Sequence, residues 1–270
     1  MRKALCLGLI TALIMGLCAC AINVSGVDVY EYDTHDFTVA TGDVAPTETI
    51  DEINIDWLAG NVHVVTGTQN TVIVHESGVG GSANVPLCYR IDGATLTIAF
   101  AEKGTKCRNI SKNLTVTVPQ GHLLTSLNVD SVAATVFVDA ATEKDVRIDT
   151  VSGRVECSVA TMSKVKIGTV SGNVNLRATS VKDVEVGTIS GTLNLNLPSI
   201  DEVEVESVSG DVNLALSRDA SFTMKVDTVS GNVNTGEFAC TRSGKRYISG
   251  TGKASIEVDT TSGDVTLKVA

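Results

Sequence analysis

The sequence predicts an all-β fold of one kind: a single-stranded β-solenoid, similar to a parallel β-helix, with 19-residue coils, N-terminal hairpins at one end and a C-terminal insertion at the other. Three observations carry this. The phrase Thr150-Val151-Ser152-Gly153 returns as Thr169-Val170-Ser171-Gly172, Thr188-Ile189-Ser190-Gly191 and Ser207-Val208-Ser209-Gly210, always 19 residues on, and a short constant period is the signature of a stacked repeat. Apolar and polar residues alternate on either side of each glycine, as in Val184-Glu185-Val186 and Leu193-Asn194-Leu195-Asn196-Leu197, which is the period of a strand. Aromatic residues make up only 4% of the chain, which suits thin stacked strands filled by β-branched side chains better than a globular core with large rings.

Counting from the glycine, apolar residues occupy positions −7, −5, −2, +2 and +4 of each coil: Val165, Ile167, Val170, Val174 and Leu176, then Val184, Val186, Ile189, Leu193 and Leu195. With coils stacked about 4.8 Å apart each position becomes a column. Val151, Val170, Ile189 and Val208 are thus expected above one another in the interior. Burying one such side chain contributes roughly 1.5–3 kcal/mol, but only when neighbouring coils cover both faces. The glycine is a corner where backbones approach closely or φ turns positive, and the preceding serine can bond a nearby backbone group. A corner is needed in every coil and a catalytic group once or twice, so the phrase is structural, even though Asp149-Thr150-Val151 superficially resembles the Asp-Thr-Gly of aspartic proteases.

In chain order, residues 1–19 are expected to be a signal peptide: Arg2 and Lys3, an apolar run from Leu5 to Met15, then Leu17-Cys18-Ala19-Cys20. Leu at −3 and Ala at −1 before a cysteine resemble the lipobox of bacterial lipoproteins. That resemblance implies cleavage before Cys20, acylation of its thiol and attachment to the outer face of the cell membrane through a lipid anchor. Residues 20–49 read as an acidic tether, with Asp33, Asp36 and Asp43. The solenoid follows over 50–270, divided into an N-terminal cap region 50–121, regular coils 122–235, and the insertion and last coil 236–270.

The cap opens on an atypical coil, with Ile53, Ile55 and Leu58 before Gly60, Val62 and Val64 after it, and Trp57 in the slot of the repeated threonine. Segments 71–76, 89–91, 95–100 and 114–118 alternate as hairpins do, one pair joined at Asp92-Gly93. After Gly210 the interval to Gly231 is 21 residues and the next, to Gly263, is 32. A loop or hairpin from about Glu237 to Lys253, carrying Arg242, Lys245, Arg246 and Tyr247, is therefore inserted before the last coil and reads as a lid over the end of the stack.

The Ile53–Val64 coil with Trp57, the Thr-Val-Ser-Gly repeats, and the closing Ser249-Gly250-Thr251-Gly252 and Asp259-Thr260-Thr261-Ser262-Gly263-Asp264-Val265 together resemble the bacterial putative-adhesin family of β-strand-repeat proteins of unknown function, the group that includes LiaG-like proteins. The resemblance covers roughly 50–270. It implies a membrane-tethered envelope protein and supplies no catalytic residues.

The surface chemistry is sparse. Formal charge is −10, and loss of Arg2 and Lys3 makes it two units more negative, which argues against nucleic acid as a partner. Asn175, Asn194, Asn213 and Asn234 share position +3; Asn173, Thr192, Asp211, Asn232 and Asp264 share +1. Such columns form structural ladders or a surface for glycan or ions. Position −4 reads Asp130, Asp149, Gly168, Gly187, Glu206, Asp227 and Asp259 in chain order. Asp130 beside Asp149 is costly unless a cation or a lysine stands between them, a weak candidate for calcium. Cys157 is expected in the core and Cys88 and Cys107 form a disulfide pair in one of two readings. The four histidines share no metal spacing, no cofactor motif is present, and the coils are nearly free of the aromatic platforms a polysaccharide-active enzyme uses. The expectation is a non-catalytic, adhesin-like envelope scaffold that binds an envelope protein or glycan. Its alternative is a sensor or regulatory component of an envelope-stress system; a polysaccharide-active enzyme comes last.

Overall fold

The structure, a computed structural model, describes residues 29–78, 85–140 and 142–270. Among them are nineteen strands in one continuous hydrogen-bonded sheet and no helix. The sheet is wound into a β-solenoid. Val155–Thr169 and Val174–Thr188 run parallel in unbroken register, Val165 beside Val184 and Ile167 beside Val186, with residues 19 apart always partnered. Columns −7, −5, +2 and +4 are interior: Val146, Ile148, Val165, Ile167, Val184, Val186, Val203 and Val205 line one wall, and Val155, Val174, Leu193 and Val212 the other, all almost wholly buried. Cys157 takes the +4 place beside Leu176, and burial pushes its thiol up to about 12.

The −2 column is not interior. Val151, Val170 and Ile189 are only half-buried, Val208 is 36% exposed and Val229 79%. The buried place belongs to position −3: Thr150, Thr169, Thr188, Ser207 and Thr260 are at most 8% exposed. A hydroxyl can be buried there because it has partners. Thr150 Oγ1 accepts the N–H of Gly153 at 3.2 Å, Thr169 that of Gly172 at 2.9 Å and Thr188 that of Gly191 at 3.0 Å. The threonine thus closes the corner from inside and turns the next residue outward. The serine ties coils together, Ser152 Oγ donating to Val132 O and Ser171 Oγ to Val151 O. The glycine is required by proximity alone, since these corner glycines are absent from the positive-φ set. A methyl on Gly172 would lie 1.9 Å from Gly153 O, and one on Gly191 1.8 Å from Gly172 O. In the first coil Trp57 fills the threonine slot and is fully buried, with Leu58 half-buried outside it.

At both ends the spatial order departs from the chain order. The Gly60 coil, Glu52–Gly67, is not terminal: Leu124–Asp139 lies on one side of it, and Thr95–Ala99 with Lys112–Pro119 on the other. At the far end Ala254–Thr260 and Val265–Val269 slot between the Gly210 coil and the arms Phe222–Thr228 and Val233–Asn234. The order of corners there is Gly210, Gly263, Gly231. Arg246–Ser249 then pairs antiparallel with Phe222–Thr228 and Thr241–Ser243 with Arg246–Ser249, so the inserted hairpin lies along the outer edge of the displaced coil. Antiparallel hairpins occupy the other end as well, Ile73–Ser77 on Lys112–Pro119 and Cys88–Asp92 on Thr95–Ala99. Ends covered in this way offer no long flat edge for a further strand.

The segment expected as a tether is folded from Val29 onward. Tyr30 is 1% exposed, Val44 7%, and Thr38–Val39 pairs with Cys88–Asp92. Its acidic residues face solvent while Tyr30, Tyr32 and Phe37 pack inward against Phe100 and one another, a division that average composition conceals.

A trough at the head of a carboxylate column

The outward −4 column is continuous through the stack, and its order is set by register: Asp56, Asp130, Asp149, Gly168, Gly187, Glu206, Asp259, Asp227. Three carboxylates stand at one end, two glycines in the middle and three carboxylates at the other end. Asp130 and Asp149 are direct neighbours as the spacing predicts. Asp56 heads the column although the sequence reading began it at Asp130; it is four residues before Gly60, so the same count finds it.

A cavity lies at the first end. There a trough of about 440 Å³ opens on the outer face of the coils, lined by Tyr32, Asp56, Arg90, Asp130, Arg147 and Asp149, with Asn54, Thr97 and Asn128 on its floor. Each element contributes for a local reason. Alternation along Glu52–Gly67, Leu124–Asp139 and Thr142–Thr150 sends positions −7 and −5 inward and −6 and −4 outward. Asn54, Asn128 and Arg147 therefore form one outward row and Asp56, Asp130 and Asp149 the next. The hairpin brings Arg90 opposite Thr97, which pairs with Asn54. Tyr32 comes from the segment before the first coil.

The electrostatics differ along the row. Asp149 is 3% exposed and its Oδ2 accepts from Arg147 Nε at 2.6 Å, so the charge between the neighbouring aspartates is relieved by a guanidinium; in turn Asp149 holds Arg147 above its ordinary pKa. Asp130 remains open to the trough, yet the surrounding protein and the Asp149 charge push it up to about 6, with Arg147 opposing. Asp56 is 8% exposed and accepts from Tyr30 Oη at 2.8 Å. Burial, aided by Asp130, pushes it up to about 7 against that hydrogen bond. Burial and the same two aspartates raise Tyr32, while Arg90 lowers it. Asn128 Nδ2 donates to Asn54 Oδ1 at 2.8 Å, and Arg90 lies 5.2 Å from the centre of the Phe37 ring.

The other expected site residues lie elsewhere. Asn194 Nδ2 donates to Asn175 Oδ1 at 2.9 Å and Asn213 Nδ2 to Asn194 Oδ1 at 3.2 Å, a ladder whose bonds run along the stack. Asn234 is not a rung, because Thr266 of the intercalated coil stands between it and Asn213; its Oδ1 accepts from Gly236 N instead. At +1, Asn173 Oδ1 accepts from Thr192 N, Asp211 Oδ1 from Asp264 N and Asp264 Oδ1 from Asn232 N. Cys88 and Cys107 are buried free thiols, so the disulfide reading is not realised here; Cys107 Sγ lies 3.5 Å from Thr105 O. Burial raises both thiols, opposed by Lys112. Lys112 is itself fully buried, its ammonium held by Val85 O, Phe100 O and Glu76 Oε1. Among the described residues no group of three or more His, Cys, Asp or Glu is placed to share a metal ion. Cys20 lies outside the described residues.

The sequence matches the family model described as Toastrack DUF4097 over residues 50–268. No curated protein sequence matches it. Among solved structures, the chain is similar to a "putative adhesin" from Bacteroides fragilis, at 13% identity and TM-score 0.50 over 84% of this chain and 98% of that one. A "putative adhesin" from Parabacteroides merdae has 13% identity and TM-score 0.40, over 86% and 98%. A "putative cell adhesion protein" from Clostridium sporogenes has 13% identity and TM-score 0.36, over 84% and 99%.

Proposed function

Because the chain belongs to the Toastrack DUF4097 family, we propose that it is a non-catalytic, adhesin-like scaffold of the cell envelope. In this reading it is held outside the cytoplasm by acylation of Cys20, as the lipobox and the LiaG-like repeats suggest. One observation carries the proposal. The corner threonines and the asparagine column bond within the stack, while among the described residues the trough is a place where unlike charged and polar side chains converge on open space. A rigid stack that holds such a concavity is suited to presenting a binding site. Beads coated with the full chain in detergent and applied to cells and envelope preparations test this; attachment no stronger than that of albumin-coated beads would remove it. Anchoring is tested separately by Cys20→Ala, expected to release the protein from the membrane fraction into the medium.

A second reading, a sensing or regulatory component of an envelope-stress system, draws on Asp56. Its carboxyl changes charge near neutral pH and bonds Tyr30, in the segment that leads from the N-terminus onto the solenoid. A proton taken up in the trough is therefore felt on the anchor side. Deletion of the gene leaving induction of envelope-stress genes unchanged would dispose of this reading.

A further inference from the structure

The groups that line the trough fall in a row across adjacent strands, and the ends of that row differ from its middle. One row across adjacent strands runs Arg90, Thr97, Asn54, Asn128, Arg147; four strand spacings of about 4.8 Å place the two arginines about 19 Å apart along the row. Beside the middle of that row lie Asp56 and Asp130, with Asp149 next to Arg147. A hydroxyl, two amides and two carboxyls thus occupy the floor, a guanidinium closes each end, and Tyr32 supplies an aromatic wall.

The arrangement selects against charged ligands of either sign. A polycation would meet guanidinium groups at both ends, and a polyanion would meet carboxyls in the middle. Asp149 and Arg147 cancel one another at 2.6 Å. What remains is a line of groups at strand spacing that donate, accept or do both, which matches a chain of hydroxyl groups, with the Tyr32 side chain on the wall beside them. Carboxyl, amide and guanidinium groups bond vicinal hydroxyls in pairs and lose little by exchanging water for them. The run of these groups across five strands favours an extended ligand laid across the coils over a compact one.

We propose that the trough is a binding site for a neutral, hydroxyl-rich carbohydrate chain lying across the Thr95–Ala99, Glu52–Gly67, Leu124–Asp139 and Thr142–Thr150 strands. The assignment rests on the adhesin-like reading above and specifies its ligand class. Bound there, the chain would exchange hydrogen bonds with Asn54, Asn128 and Asp130 and be flanked by Arg90 and Arg147.

The test is titration calorimetry of the full chain in detergent with cellotetraose, mannotetraose, galactotetraose and chitotetraose, and with polylysine and polygalacturonate as charged probes. Saturable binding of at least one neutral tetrasaccharide is expected. It should weaken about tenfold in Asp130→Asn and in Asn128→Ala, the loss of one well-placed hydrogen bond, with melting of both variants unchanged. Binding of none of the four, preference for either charged polymer, or unaltered affinity in both variants overturns the site. Attachment of coated beads separates this from the wider reading. Wild-type and variant beads that attach equally well would sink the trough and leave the scaffold standing. Wild-type beads that fail to attach, while tetrasaccharide binding persists in solution, would sink the scaffold and leave the trough.

Discussion

The two ends of the −4 column carry the same number of carboxylates on the same outward position of the same sheet, yet they are different surfaces. At the end headed by Asp56, the aspartates lie under Tyr32 and beside Arg90 and Arg147, and two of them hold protons far above the usual carboxylate range. At the other end Glu206, Asp259 and Asp227 are each half-buried on the wall of the stack. Lysines stand nearby: Lys225 reaches Glu257 and Lys245 reaches Asp227 at this end, while Lys164 and Lys166 reach Asp183 and Glu185 beside the two glycines in the middle. Glu204, among Glu185, Glu257, Asp259 and Glu202, is raised chiefly by burial and then by those like charges. A column of charge becomes a site only where distant parts of the chain cover it, because cover both excludes water and brings unlike groups within reach.

Breaking the stack between the two ends should have the largest effect. Gly191→Ala forces a methyl to within 1.8 Å of Gly172 O, a backbone atom that cannot swing away, and should cost at least about 4 kcal/mol. Denaturant titration should show both ends lost together. Gly42→Ala, with nothing within 4 Å, should change stability by less than about 0.5 kcal/mol.

Uncovering only the closed end comes next. Tyr30→Ala removes a ring packed on Phe100 and the donor to Asp56, at about 4 kcal/mol. By NMR titration, Asp56 should then fall toward the ordinary carboxylate range, because the loss of burial, the larger cause, outweighs the loss of the hydrogen bond that holds it down, while Glu204 does not move.

Asp56→Asn sharpens the contrast with a sign. The folded pKa of Asp56, about 7, lies above its ordinary 3.8, so the folded state keeps the proton longer and the wild type loses stability as pH rises from about 4 to 7. The neutral variant escapes this loss and can still accept from Tyr30 through its amide oxygen. It should match the wild type near pH 4 and exceed it by about 2–4 kcal/mol at pH 8, taking 1.36 kcal/mol per pKa unit. Equal stability of the two proteins at pH 8 would show that the enclosure is too wet to hold a proton.

At the far end effects should be smallest. Lys225→Met removes an ion pair whose members are 28% and 41% exposed, and a change of less than about 1 kcal/mol, shrinking further in high salt, is expected in thermal melts.

Much of the architecture was legible because a 19-residue period leaves few ways to stack strands. The alternation around Val184 and Leu193 names the interior columns, and the spacing of Asp130 and Asp149 names neighbours. The corner was misread by one residue: Val looks like core and Thr does not, but a buried hydroxyl bonded to the next glycine N–H is satisfied, and a valine at a bend has no coil in front of it. The trough was legible in half. Asp56, Asn54, Asn128 and Arg147 follow from counting to the nearest corner, whereas Arg90 arrives through an irregular hairpin and Tyr32 through a segment whose composition reads as linker.

By itself the sequence determined the repeat, the register of 19 and the residues that share each column, since these are local counts repeated along one axis. Tertiary structure alone decided the order of the coils at each end, the folding of Tyr30 and Tyr32 onto the stack, and hence the trough at one end of a column that carries three carboxylates at each. The reason is physical. Contacts within the period are fixed by chain connectivity, whereas the covering of an end is chosen by which segment buries most apolar surface there, and that depends on residues far apart in the chain.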